Sequence, residues 1–365
     1  MKRSVSFIIT SVLFINYYAT AYSGVSHTSG SPDLQDTSFT QRKIVITGVG
    51  DIMLGSSFPS SRYLPPHDNP FLLLESVTDT LSSSDITFGN LEGSFLNNGE
   101  AAKKCKDTTI CYLFRMPEKY VSALTASGFD LLSLANNHFG DFGLPSRNRT
   151  KEILDSVGIF YGGLIEHPWS IFKKDSLLYG FCAFAPNAGT VNINEINKAG
   201  EIVRMLSDTC DIVIVSFHGG AEGAEFQNVP KTIEMFHGES RGDVYNFAHS
   251  MIDNGADVVF GHGPHVTRAI EIYKDRFISY SLGNFCTYGR FNLSGPNGLA
   301  PIVKINVDTS GRFLSGRIIP VFQSWPEGVK IDSNRRVINK IRELMAVDFP
   351  DAAITVSVNG EISYK

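Results

Sequence analysis

Five times along this chain an apolar run of strand length stops on a side chain that can hold a metal ion or move a proton. "IVITGVGD" ends at Asp51, "ITFGNLE" at Glu92, "LLSLANNH" at Asn137 and His138, "IVIVSFH" at His218, and "VVFGHGPH" at His262 and His265. Near-continuous Val/Ile/Leu runs belong to strands buried on both faces, which occur in sheets covered by helices. In open α/β sheets the loops past the carboxyl ends of the strands line the ligand crevice. The pattern therefore predicts an α/β fold with its polar groups gathered at one edge. A core strand has no use for a terminal histidine, because a buried imidazole costs free energy unless something pairs with it. His262 and His265 are too far apart in sequence to share one strand face, and Gly261, Gly263 and Pro264 supply the bend that lets both rings converge.

The intervening stretches carry helical signals. "NPFLLLESVTDTLSSS" reads as a helix with an apolar face, and "PEKYVSALTASGFD" has Pro at its first turn and Gly at its end. "SRNRTKEILDSVG", "GDVYNFAHSMIDNG" and, near the C-terminus, "NRRVINKIRELMAVDF" are further helices. After Arg268 the pattern turns to β-like alternation, so the expected architecture is an α/β sandwich whose second sheet is partly antiparallel. Residues 43–323 are read as one domain, with 324–365 packed on it as an extension.

The N-terminus has the layout of a cleaved export signal. Lys2 and Arg3 precede an apolar stretch from Val5 to about Tyr17, then Ala19-Thr20-Ala21. Residues 1–21 are read as the signal and 22–42, rich in Ser, Thr, Gly and Asp, as a flexible leader. Cys105 and Cys111 flank a short polar stretch and are expected to close a small disulfide loop, whereas Cys182, Cys210 and Cys286 read as core thiols. The net charge of −5, with no long basic run, argues against a nucleic-acid partner. GxxxxGK[ST] does not occur, so P-loop chemistry is not supported. Mixed imidazole and carboxylate donors suit Mn, Zn or Fe better than Ca.

In order and spacing, "GDIML", "GNLE", "LANNHFGDFG", "HGGAE", "GHGPH" and "SLGNF" resemble the successive signatures of the CapA family, from about Lys43 to Phe285. That family is the poly-γ-glutamate capsule biosynthesis branch of the calcineurin-like metallophosphoesterases. The resemblance implies a four-layer α/β/β/α sandwich of the metallophosphoesterase type, with one or two divalent metal ions between its sheets. It assigns Asp51 and His265 to a first metal, Asn137, His218 and His262 to a second, and Glu92 as the bridging carboxylate. His138 would be the general acid, its ring oriented by Asp141.

The departures from that pattern are specific. The first motif of most calcineurin-like enzymes, Asp-x-His, here has Met53 in the second place, which removes a ligand. Glu92 stands where Asp is usual, the motif after His218 lacks its tryptophan, and Gly263 stands where many relatives have a second histidine. The functions implied are an exported metal-dependent phosphoesterase, a factor in assembly of poly-γ-glutamate or a related surface polymer, or a polymer-binding protein without chemistry. The partners implied are an anionic polymer or phosphoester substrate and membrane proteins of capsule synthesis. Arg241, Arg268 and Arg290 are candidate cations for an anionic substrate, Glu222 and Glu225 are candidate contacts, and Asn284 is a candidate wall of the pocket.

Overall fold

The computed structural model describes residues 42–104 and 111–365, all within one compact unit. The expected export signal, the leader up to residue 41 and Cys105 of the expected disulfide loop lie outside the described residues. Cys182, Cys210 and Cys286 are free thiols.

Two sheets face each other. In the larger, of ten strands, Ile44–Met53, Ile86–Leu91, Leu131–Ser133 and Phe160–Gly162 run parallel in that order. On the other flank of Ile44–Met53 the direction reverses. Leu299–Val307 and Phe313–Ser324 pair antiparallel there, and Glu361–Tyr364 and Ile354–Val356 extend that side. The smaller sheet has six strands, with Leu177–Phe184, Ile212–His218, Val258–His262 and Arg276–Ser279 parallel. Trp169–Lys174 and Ile270–Tyr273 close its edges antiparallel. The five polar-ended strands are thus divided three and two between facing sheets.

Aromatic rings fill the space between the sheets. Phe88 of the larger sheet stacks on Phe260 of the smaller, with centroids 5.2 Å apart and planes 7° from parallel. Gly48 lies under that ring, since a Cβ there would come within 2.4 Å of it. Each such ring, fully buried, stabilises the fold by about 1.5–3 kcal/mol. Helices Ile196–Ser207 and Val244–Asp253 cover the outer face of the smaller sheet, where Phe247 packs against Phe184 and Phe217. Helices Val121–Ala126 and Gly143–Val157, with shorter ones before them, bury their apolar faces with Val49, Ile52 and Leu132 on the outer face of the larger. This arrangement of helices and facing sheets is consistent with the α/β/β/α sandwich that the resemblance implies.

Local signals set most helix ends. Asp243 caps Val244–Asp253 by accepting from Asn246 N, and Gly158 ends Gly143–Val157 in the left-handed conformation. The helix expected over "NPFLLLESVTDTLSSS" is interrupted. It forms Phe71–Leu74 and Thr78–Ser82, separated where Val77 leaves helical geometry and Ser76 Oγ donates to Val329 O. A long-range partner there outweighs a weak intrinsic preference. Among the described residues no helix is long and apolar enough to cross a membrane.

Candidate metal centre

Alternation along the strands aims most of the polar groups. Phe88 points between the sheets, so Asn90 and Glu92 continue on the same face. Phe260 points to the same space from the other side, which places His262 there. Phe217 packs outward on Phe247, so His218 points inward. His218 and His262 are register partners on adjacent parallel strands, which sets their rings side by side.

Asp51 breaks this rule. Val49 faces the outer core, and strict alternation would send Asp51 the same way. The pairing register of Ile44–Met53 shifts on both sides of Asp51, and such a bulge re-aims the side chain. Its carboxylate meets the histidines of the facing sheet: Oδ2 is 2.8 Å from His265 Nδ1 and Oδ1 is 3.4 Å from His262 Nδ1. Glu92 Oε2 lies 3.6 Å from His218 Nδ1. Asn90 donates through Nδ2 to both Asp51 Oδ1 and Glu92 Oε2. Asp51, Glu92 and His218 each present a ligand atom within 4.8 Å of the others.

The donor set fits a metal ion. Glu92 Oε1, Asn137 Oδ1 and both ring nitrogens of His218 and of His262 are buried without a hydrogen-bond partner. Each such orphan costs about 1–3 kcal/mol. One divalent cation held among Asp51, Glu92 and His218, with His262 beside them, would satisfy several of these atoms at once, and imidazole with carboxylate suits a transition metal.

The protonation of the ion-free centre follows from its packing. Burial acts to raise the Asp51 pKa, but the adjacent His262 ring and the hydrogen-bonded His265 outweigh it and hold the carboxyl well below the usual range. Burial, with the Asp51 charge beside it, pushes Glu92 up to about 8. Burial opposes charge on His265, yet its bond to Asp51 pushes it up to about 9. Burial and the nearby Arg241 charge keep His218 well below the ordinary histidine value, so it is neutral.

Asn137, His138 and Asp141 lie on the loop after Leu131–Ser133. That loop is fastened to the centre by Asn136, whose Nδ2 donates to Asn90 Oδ1 and Leu91 O. His138 Nδ1 is 2.9 Å from Asp141 Oδ2, which also accepts from Phe114 N, and Lys103 pairs with Oδ1 at 3.5 Å. Phe291 packs between His265 and Phe114, and Phe114 lies on His138, so an aromatic wall joins the two halves. Asn90, Asn136 and Phe291 were not singled out from sequence. The period of two from Glu92 points to Asn90, whereas only the folded chain brings Phe291 here.

Other residues find settled places. Met53 is buried in the outer apolar core, its sulfur 3.3 Å from Gly55 N, and offers nothing to the centre. Gly263 has φ +115°, and a Cβ there would lie 2.6 Å from Gly219 O, so no side chain fits where the calcineurin-like pattern has its second histidine. Asn284 Nδ2 donates to His265 O and Asn297 O and so braces the His265 turn. Arg268 is fully buried and held by both oxygens of Glu234 at 2.8 and 2.7 Å, which removes it as a substrate contact. Glu222 pairs with Arg241 at 3.0 Å.

Residues 45–288 match the family described as bacterial capsule synthesis protein PGA_cap. The chain is 27% identical over 267 residues to the capsule biosynthesis protein CapA of Bacillus anthracis, covering 67% of this chain and 59% of that one. It is 26% identical over 358 residues to the PGA biosynthesis protein CapA of Bacillus subtilis strain 168, covering 93% and 86% respectively. Among solved structures, the NAD nucleotidase NadN of Haemophilus influenzae aligns with a TM-score of 0.42 and 11% identity, over 84% of this chain and 63% of that one.

Proposed function

The chain belongs to the bacterial capsule synthesis protein family, and from that premise we propose that it acts outside the cytoplasm in the assembly of poly-γ-glutamate or a related anionic surface polymer, through a metal-dependent hydrolytic centre. The observation that carries the hydrolytic reading is the set of buried donors without protein partners between the two sheets. Asp51, Glu92, His218, His262, His265 and Asn137 would hold one or two divalent ions, of Mn, Zn or Fe. Met53 supplies no ligand, which favours one well-held ion over two equal ones.

A cation bound there would polarise a phosphoryl or carbonyl oxygen and acidify a water. The protein's own part is proton handling and positioning. Asp141, itself fixed by Phe114 N, holds the His138 ring by Nδ1 and leaves Nε2 for the leaving group. Phe291 and Phe114 line the side of the centre between His265 and His138. Export rests on the charged and apolar N-terminal pattern, and membrane proteins of capsule synthesis are the expected partners.

The test pairs metal analysis with turnover of a phosphodiester, a phosphomonoester and a poly-γ-glutamate chain, each with Mn, Zn and Mg. His138→Ala should lower the rate by about 10²–10⁴-fold with metal retained, whereas His218→Ala with His262→Ala should lose metal. Wild-type protein that holds metal and cleaves none of the three would leave a polymer-assembly or polymer-binding role without chemistry. The substrate that responds names the bond broken.

A further inference from the structure

Arg241 is 4% exposed, yet it lies beside the metal centre rather than in an apolar core. It is fixed to the loop that follows His218: Gly220 N donates to Arg241 O at 2.9 Å, and Arg241 Nε donates to Gly220 O at 3.2 Å. Its Nη2 is buried and makes no hydrogen bond. Glu222 Oε1 lies 3.0 Å from that nitrogen, near enough to attract it but out of line for a bond. A buried guanidinium with an unfilled donor is costly, and the natural occupant is an oxyanion, which arginine holds through charge-assisted bonds.

The backbone places Arg241 next to the centre: Gly219 and Gly220 directly follow His218, and Gly219 N donates to His262 O at 2.8 Å while Gly220 N donates to Arg241 O. The other two candidate arginines are otherwise engaged. Arg268 is saturated by Glu234, while Arg290 is stacked between Tyr63 and Tyr112 and donates to Cys111 O.

We propose that Arg241 is the anion-binding residue of the metal centre, taking an oxyanion of the substrate on its buried amino group, and that Glu222 is the counter-ion the substrate displaces. This rests on the metal-centre reading above and adds to it the site of negative charge on the substrate. The shared chemistry is an oxyanion, either a phosphoryl group or the free carboxylate of a γ-linked glutamate chain.

The test is calorimetric titration of the metal-loaded full chain with inorganic phosphate and, separately, with a γ-linked glutamate oligomer. Arg241→Met should weaken binding of one of them by about 10–100-fold, and Arg241→Lys should fall between, because lysine keeps the charge but not the planar fork. Glu222→Gln should tighten binding several-fold by removing the competing carboxylate, an effect that a purely structural ion pair would not give. Metal content should stay at the wild-type value in all three, and the probe that responds identifies the oxyanion. If Arg241→Met fails to fold or loses metal, Glu222→Gln decides alone. Affinity unchanged in Arg241→Met with metal retained, no tightening in Glu222→Gln, or no binding of either anion to wild type would each overturn the inference. The readout is separate from turnover: anion binding that depends on Arg241 in a protein that hydrolyses nothing would uphold this inference and sink the hydrolytic reading.

Discussion

Replacing Gly263 with alanine tests how the loops bearing His218 and His262 are held together. Gly263 sits at φ +115°, and an added Cβ would lie 2.6 Å from Gly219 O and 2.8 Å from Gly219 N. Both atoms are backbone, so no side chain can swing aside. A non-glycine residue in so sparsely populated a conformation costs about 1–3 kcal/mol, and forcing a methyl group into a packed site costs about 1–3 kcal/mol more. The sum, about 2–6 kcal/mol, is the loss expected if the loops hold their places. If they part instead, the hydrogen bond from Gly219 N to His262 O, now 2.8 Å, lengthens. His218 and His262 then separate, and the cost appears as weaker metal binding. Gly158→Ala is the control, since Gly158 has φ +73° but nothing within 4 Å of its added Cβ; it should lose only about 1–2 kcal/mol. Urea unfolding with and without metal, together with calorimetric metal titration, reads both effects. A Gly263→Ala protein no less stable than Gly158→Ala, and binding metal as wild type does, would refute the reasoning.

Metal affinity should rise with pH. Without metal, Glu92 near pKa 8 and His265 near 9 both carry a proton at neutrality, and each must release it to become a ligand. Affinity should therefore fall by up to about tenfold per pH unit and per proton displaced below pH 8; titration in buffers of different ionisation enthalpy should show proton release, and a flat profile between about pH 6 and 8 would count against it. Glu234→Ala strands the buried Arg268 charge and should cost about 3–5 kcal/mol in urea unfolding, while replacing both partners with apolar residues should restore most of it; a single replacement costing under about 1 kcal/mol would contradict the pairing. Expressed in a bacterium, the protein should lose about its first 21 residues, which intact-mass measurement checks, and a full-length cytoplasmic product would contradict export.

Local periodicity alone accounts for one part of this architecture. Alternation along "ITFGNLE", "IVIVSFH" and "VVFGH" puts Glu92, His218 and His262 on the faces that meet, because successive side chains of a strand must point to opposite sides. Glycine after Val157 and aspartate before Val244 mark helix ends through backbone geometry that one residue controls. The division of five similar strands between two sheets was not legible, since nothing local says which strand a given strand will pair with. Asp51 reaches the centre through a bulge that alternation alone would deny, created by its pairing with Asn90 on one side and Asn284 on the other. Arg268 reads as a free cation until Glu234 meets it across 34 residues, and Phe291 acquires its place only when its loop folds over His265. Such placements depend on contacts between distant segments, so they are decided by tertiary packing and not by the residues on either side.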